Sequence, residues 1–539
     1  MDSAVATLLC NGAVHPLFSG LGGGFVMTIY NRHSTQSDVL LARERAPLAA
    51  TEDMFRADPR LATKGPLAVA VPGEVAGYWA ARRKYGNKEI SWQRIIQPTI
   101  DLCRQGIPVT ASLAFQLRTH RPDLSDPGIR SVFTNPQTGR VWTEGENFTN
   151  PALANTLQAL AEEGDLGDHS FYNGTIAENL VEDIRKLGGI LTAEDLSSYQ
   201  VEWAAPVKVD LASSSRTFLT APPPASGAVL AAIINIVDSF GPKDDDRVFY
   251  HRLVESFKWA FAARSNLGDP FDEDITDFIR FVASVASEYF VTNIYRDFVT
   301  EITSKDWAEQ KRDLIDDWQT SKSPGDYGAK FYSPADQGTS HISVVSPEGD
   351  AVAVTTTLNW FFGAEILSES TGILLNDQMD DFSYPNLIND FGVPPSPHNL
   401  VRPGKRPMSS MCPSILIDQQ TREVRLVVGG AGGTKITTAV AQTLIYNIHH
   451  GWDLQDSVGQ TGLQCKSPAP GRKDGCFRVP EVASPASPND SQPPVRVSRR
   501  YSELTEGPRP HHGGWRASRE CGRSHRNNIS GSSGGRGVV

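Results

Sequence analysis

The chain has 539 residues, of which 39% are apolar, and a formal net charge of −11. That length supports large cores in two or more lobes, and that apolar share excludes a wholly disordered chain. The acidic balance argues against a general nucleic-acid binder, and no stretch reaches the ~20 apolar residues that span a bilayer.

Residues 1–10 read as the middle of a helix with no leader before it, which places the start of the chain partway into a domain. Six cysteines are scattered too widely for a disulfide framework or a CxxC metal site. Cys10, Cys103 and Cys412 stand among apolar neighbours and read as buried thiols. Next comes Ser19-Gly20-Leu21-Gly22-Gly23-Gly24-Phe25, followed by the strand-like Val26-Met27-Thr28-Ile29-Tyr30. The dinucleotide spacing GxGxxG fails at Phe25, and the loop precedes the strand. It reads as a tight loop with close backbone approach. Residues 39–47 read as a strand ending in charge. There Arg43 is either a carboxylate clamp or half of a surface ion pair with Glu44.

Apolar spacings of three and four then predict helices over 74–85, 91–103, 151–163, 176–187, 225–240 and 249–263. Gly188-Gly189 is a helix stop. Residues 306–318 read as a charged, solvated helix. The acidic groups at 244–246 and 269–277 lack the calcium-loop spacing and read as solvated loops. Asn147 and Asn173 head glycosylation sequons compatible with secretion.

After Gly338 the period shifts to two. Residues 340–345 and 351–357 form a hairpin pattern around Ser346-Pro347-Glu348-Gly349-Asp350, and 412–417 with 423–428 form a second. The near-continuous apolar runs of the second suit strands covered on both faces. Residues 435–449 read as helical. Helices first and strands after argue for a helix-covered sheet sandwich. From Gly459 onward the chain carries 12 Gly, 9 Pro and 11 Ser, with 13 Lys and Arg against 6 Asp and Glu. It shows no apolar periodicity and reads as disordered.

Chemistry concentrates in the strand-rich part. A cut between Gly338 and Thr339 would give Thr339 both a hydroxyl and a free α-amine, and the amine can act as the base that a threonine lacks. The hairpin brings Thr357 and Asn359 beside Thr339. Asn376-Asp377-Gln378-Met379-Asp380-Asp381-Phe382 offers acceptors for an ammonium group. Pro407-Met408-Ser409-Ser410 offers two hydroxyl donors. Gly429-Gly430-Ala431-Gly432-Gly433-Thr434-Lys435 opens a helix but ends in Gly-Thr-Lys, where a P-loop needs Gly-Lys-Ser or Gly-Lys-Thr. Its N–H groups suit an oxyanion.

These stretches, together with Ala42-Arg43-Glu44, Val69-Ala70-Val71-Pro72-Gly73-Glu74, Leu267-Gly268-Asp269-Pro270 and residues 391–397, stand in one order. In that order they resemble the γ-glutamyltransferase (γ-glutamyl transpeptidase) family of N-terminal-nucleophile hydrolases, from Asp2 to about Val458. The resemblance implies an α/β (α+β) fold, a four-layer αββα sandwich. It implies a large-subunit portion 1–338, a small-subunit portion 339–458, and an unmatched tail 459–539.

It also implies self-cleavage at Gly338–Thr339 and Thr339 as catalytic nucleophile, with Thr357 as its hydrogen-bond partner. Gly432 and Gly433 would form the oxyanion hole. Arg43, Ser409 and Ser410 would hold the substrate α-carboxylate, and Asn359, Gln378 and Asp381 the α-ammonium. At Gln378 some members carry Glu, so one charge fewer and weaker binding are expected. No metal or cofactor is implied. The implied substrates are glutathione, its conjugates and amino acid or dipeptide acceptors, at the outer face of the plasma membrane or secreted. The anchor that animal members carry precedes the region matched here. The family's final helix and strand have no counterpart after Val458, which would leave sheet edges open. Two other readings are carried: a relative that does not mature, and a secreted amino-acid-binding protein.

Overall fold

A computed structural model describes residues 1–241, 246–270, 298–321, 323–331, 338–385, 394–459, 463–465 and 476–478. The strands that build the core are β1 (Gly24–Tyr30), β2 (Ser37–Ala42), β3 (Glu202–Ala204), β4 (Val207–Leu211) and β5 (Arg216–Thr220). They continue with β6 (Thr339–Val345), β7 (Ala351–Thr357), β8 (Ser414–Asp418) and β9 (Val424–Val428). One sheet has the order β6-β7-β1-β2-β3 and the other β9-β8-β5-β4, with every pairing antiparallel.

Side-chain alternation divides each strand between two faces. In the first sheet Phe25, Met27, Ile29, Val352 and Val354 face outward to helices α1 (Asp2–Val14), α2 (Glu74–Tyr85) and α3 (Trp92–Gln105). In the second, Phe218, Leu416, Leu426 and Val428 meet helices α4 (Gly227–Ser239), α5 (Asp246–Arg264) and α6 (Ile436–His449). Between the sheets, Tyr30, Leu219, Ala351, Ala353, Ile415 and Val427 close together. The result is the expected αββα sandwich. Each fully buried aliphatic or aromatic side chain contributes roughly 1.5–3 kcal/mol relative to exposure.

The helices follow the apolar spacing closely. Ser91 caps α3, its hydroxyl accepting from the Arg94 N–H. The helices Pro151–Glu162 and Thr175–Lys186 fall where expected. Gly188 ends the latter at φ +90°, a conformation that glycine adopts freely.

Several expectations need correction. The division into helices first and strands after is incomplete, because β1 to β5 all precede Gly338 and supply strands to both sheets. Residues 39–47 are not one strand: β2 ends at Ala42 and the chain turns inward with Arg43 and Glu44. Cys10 is exposed, unlike Cys103 and Cys412, because the helical period of α1 buries positions 4, 5, 8 and 9 instead. The helix expected over 306–318 runs from Lys305 to Asp313 and buries Trp307 and Ala308 against the α4–α5 core, so only one face is solvated.

Asp269 is not in a solvated loop. It is buried and paired with buried Arg406. Asp246 opens α5, while 244, 245 and 271–277 lie outside the described residues. So do 391–393 and all of the tail after Gly459 except two short strands. Those strands, Leu463–Cys465 and Cys476–Arg478, pair antiparallel.

Candidate active site

Thr339 is the first residue of β6 and lies opposite Thr357 in β7. Alternation turns Thr339, His341 and Ser343 to the same face, and the Ser343 hydroxyl reaches across to donate to the Val427 carbonyl of β9 at 3.2 Å. Thr339 therefore starts its strand in the space between the sheets, 9% exposed. Gly338 before it has φ +109°, and a Cβ there would sit 2.6 Å from the Asn359 carbonyl oxygen. The Thr357 hydroxyl donates to the Gly338 carbonyl at 2.6 Å, and the Asn359 N–H donates to that hydroxyl at 2.8 Å. With its lone pair engaged by Asn359, the hydroxyl proton is aimed at the Gly338 oxygen. His341 shares hydrogen bonds with Thr355 (2.9 Å) and Ser343 (3.0 Å), and burial pushes its imidazole down to about 4.

A second group gathers where β2 ends. Arg43 is fully buried. It donates to the carboxylates of Glu44 (3.1 Å) and Asp381, and to the carbonyls of Pro407 (3.3 Å) and Met408 (3.4 Å). Its partnership with Glu44 is real, but the pair is buried, so it is not a surface bridge. Asp381 also accepts from the Gln378 amide at 2.5 Å, and the Asn359 amide donates to the Asp377 carbonyl at 3.2 Å. The backbone of the Gln378–Asp381 turn is fixed by Asn376, whose side-chain amide oxygen accepts from the Gln378 N–H at 2.9 Å.

Ser409 and Ser410 follow directly after the two carbonyls that Arg43 holds, and both are buried. Ser226, just before α4, donates to the Ser409 carbonyl at 2.6 Å. Thr437, in the first turn of α6, donates to the Ser410 carbonyl at 3.2 Å. That bond ties the serines to the glycine loop, where Gly432 (φ +112°) and Gly433 (φ +61°) turn the chain into α6. Both values are in the left-handed region that favours glycine.

The site is rich in carboxyls whose ionisation burial disfavours. Burial pushes Glu44 up to about 7, with the Arg43 charge pulling the other way. Burial raises Asp380 to about 6 and Asp377 well above the usual carboxylate range. Asp381 is raised by burial and drawn back by Arg43, the Gln378 amide and Arg264. Glu74 is raised strongly by burial and accepts a hydrogen bond from Thr356. Desolvation disfavours charge and a neighbouring cation favours it, so Arg43 draws Glu44 and Asp381 back toward the anion.

The structure brings Arg43, Gln378 and Asp381 into contact, puts Thr357 and Asn359 at the Thr339 strand end, and links Ser409 and Ser410 to both Arg43 and the glycine loop. Asn147 and Asn173 are both exposed. Sequence reasoning missed Arg264 and gave Glu74 no role of its own. Each acts across a long stretch of chain, and the only local signal was a charged residue at a helix end.

A buried threonine opening an edge strand of one of two helix-covered sheets, with a glycine at φ +109° before it, is the arrangement expected of an N-terminal-nucleophile hydrolase. The fold is similar to that of the cephalosporin acylase from Bacillus halodurans, with a TM-score of 0.67 at 23% identity over 86% of this chain and 78% of that one. Residues 1–468 match the family model described as gamma-glutamyltranspeptidase, a match reaching ten residues beyond Val458. Scoloptoxin SSD14 of Scolopendra dehaani is 39% identical over 471 residues, 86% of this chain and 77% of the relative. Glutathione hydrolase 3 of Arabidopsis thaliana is 38% identical over 450 residues, 83% of this chain and 66% of the relative. The chain belongs to the gamma-glutamyltranspeptidase family. Among the described residues no helix is long and apolar enough to cross a membrane.

Proposed function

We propose that this chain hydrolyses and transfers γ-glutamyl groups, and that it matures by cutting itself between Gly338 and Thr339 into a 1–338 portion and a portion starting at Thr339. The carrying observation is the 2.6 Å hydrogen bond from the Thr357 hydroxyl to the Gly338 carbonyl, the carbonyl of the peptide bond that would break. That donor polarises the carbonyl for attack by the Thr339 hydroxyl. The acyl group moves from nitrogen to oxygen, and water then hydrolyses the ester. This frees the Gly338 carboxylate and the Thr339 amine.

In the mature site the Thr339 amine takes the hydroxyl proton as the oxygen attacks the γ-carbonyl of the donor. The N–H groups of Gly432 and Gly433 meet the developing oxyanion. The proton passes to the leaving amine, and a γ-glutamyl ester remains on Thr339. Water or the amine of an amino acid or dipeptide then resolves it. Arg43, Ser409 and Ser410 receive the α-carboxylate, for which a guanidinium with hydroxyls is chemically suited. Asp381, Gln378 and Asn359 receive the α-ammonium. Glutathione and its conjugates are the donors, supported by the relative named glutathione hydrolase. The location is outside the cell, at the membrane surface or secreted, with Asn147 and Asn173 as glycan acceptors.

Denaturing electrophoresis tests the reading. The purified chain separates into two bands meeting at Gly338–Thr339 and releases nitroaniline from L-γ-glutamyl-p-nitroanilide. Thr339→Ala stays as one band and releases none. A wild-type chain that stays whole and inert overturns the reading.

A further inference from the structure

Pro407 to Ser410 runs between two buried guanidiniums, and only one of them has a place in the site described above. On one side Arg43 holds the carbonyls of Pro407 and Met408. On the other stands Arg264, the last residue of α5 and 5% exposed. Its Nη2 donates to the Ser410 hydroxyl at 3.4 Å, and its Nε donates to the Ser226 hydroxyl at 3.2 Å. Ser226 in turn donates to the Ser409 carbonyl at 2.6 Å. Arg264 thus fixes one serine by its side chain and the other by its backbone.

Two features give this arrangement a chemical direction. A hydroxyl that accepts from a guanidinium has its own proton left to donate, so Arg264 turns Ser410 into a donor toward an anion. A buried cation also favours a nearby negative charge at longer range, and the Arg264 charge is felt at Asp381 on the far side of the Arg43 pair. Arg43 already faces two carboxylates, Glu44 and Asp381. An incoming carboxylate competes with both for that single guanidinium.

We propose that Arg264 is a positioning residue for the donor's α-carboxylate, orienting Ser410 and Ser409 and supplying the second positive charge that lets the pocket select donors bearing that group. The inference rests on the γ-glutamyl reading and adds a specificity determinant to it. Arg264 acts through the serines and touches no reacting atom.

The test compares two donors, L-γ-glutamyl-p-nitroanilide and 4-aminobutyryl-p-nitroanilide, the second lacking the α-carboxylate. It uses the self-cleaved wild type, Arg264→Gln and Arg264→Lys. For Arg264→Gln the KM for the first donor rises roughly 10- to 100-fold with kcat within about threefold, the scale of losing a charge-assisted contact. Turnover of the second donor is unchanged within about twofold. The lysine variant keeps the charge without the fork and recovers part of the loss. Titration of L-glutamate by calorimetry shows the same order of affinities. Equal losses on both donors, or a fall in kcat at constant KM, overturn the inference and leave a structural role. If Arg264→Gln does not self-cleave, Arg264→Lys decides, and a wild-type profile for it overturns the inference. A wild type that neither turns over the first donor nor binds L-glutamate overturns the γ-glutamyl reading itself, and this inference with it.

Discussion

Glu74, the first residue of α2, accepts a hydrogen bond from the hydroxyl of Thr356 in β7. The contact crosses from the helix layer to the strand whose next residue, Thr357, holds the Gly338 carbonyl. Burial raises the Glu74 carboxyl well above its ordinary range and so favours its uncharged form. Glu74→Gln, which has nearly the same shape and no charge to bury, should therefore change stability by less than about 1 kcal/mol. Glu74→Ala leaves Thr356 unpartnered over a void and should cost about 2–4 kcal/mol. Thermal unfolding of the two variants checks the contrast, and equal losses would exclude the protonated form.

Glu44 gives a pH dependence of definite sign. Burial raises its carboxyl from 4.5 to about 7, so the folded state binds a proton that the unfolded chain has released between those values. Its contribution to stability is complete below pH 4.5 and is lost as pH rises through about 7. The melting temperature of Glu44→Gln relative to wild type should therefore rise steadily across that window and level off above it. The full span corresponds to about 3 kcal/mol. A flat difference would show that Arg43 keeps Glu44 ionised throughout.

Thr357 should govern the rate of self-cleavage. Thr357→Val keeps the shape and removes the donor at the Gly338 carbonyl, and should slow the appearance of two bands by about tenfold or more. Thr357→Ser keeps the donor and should stay within a few-fold of wild type. A time course on denaturing gels measures both.

The Arg406–Asp269 pair is a matter of stability. Three hydrogen bonds of 2.9 to 3.2 Å join the two residues in the interior. Asp269→Ala removes all three of these bonds from a buried arginine and should cost about 3–5 kcal/mol. Asp269→Asn keeps one of the two acceptor oxygens and should cost less. Chemical denaturation of the uncleaved Thr339→Ala background measures both without interference from processing.

The hairpin around Thr339 was legible because it alternates cleanly and its turn carries Pro, Gly and Asp. The helices were legible because their apolar residues recur every three or four positions. The strands β3 to β5 were not, although Val207 to Leu211 alternates buried and exposed as a half-covered strand should. Five residues amid helices carry too little signal to stand out. Arg43 could be read only as an alternative, since nothing local shows that the chain turns inward after Ala42. Arg264 closes an amphipathic helix, where a cation is ordinary. That its helix end points at serines about 150 residues later is a property of the sandwich alone.

The order of strands also bears on what the cut would do. The strands on either side of Gly338–Thr339 are woven into the same two sheets: β7 lies against β1, and β8 against β5. Two chains made this way could not drift apart as separate bodies, because parting them would unzip both sheets along their full length. They should melt in one cooperative step and resist separation by dilution. If expressed apart, neither half should recover a native form without the other.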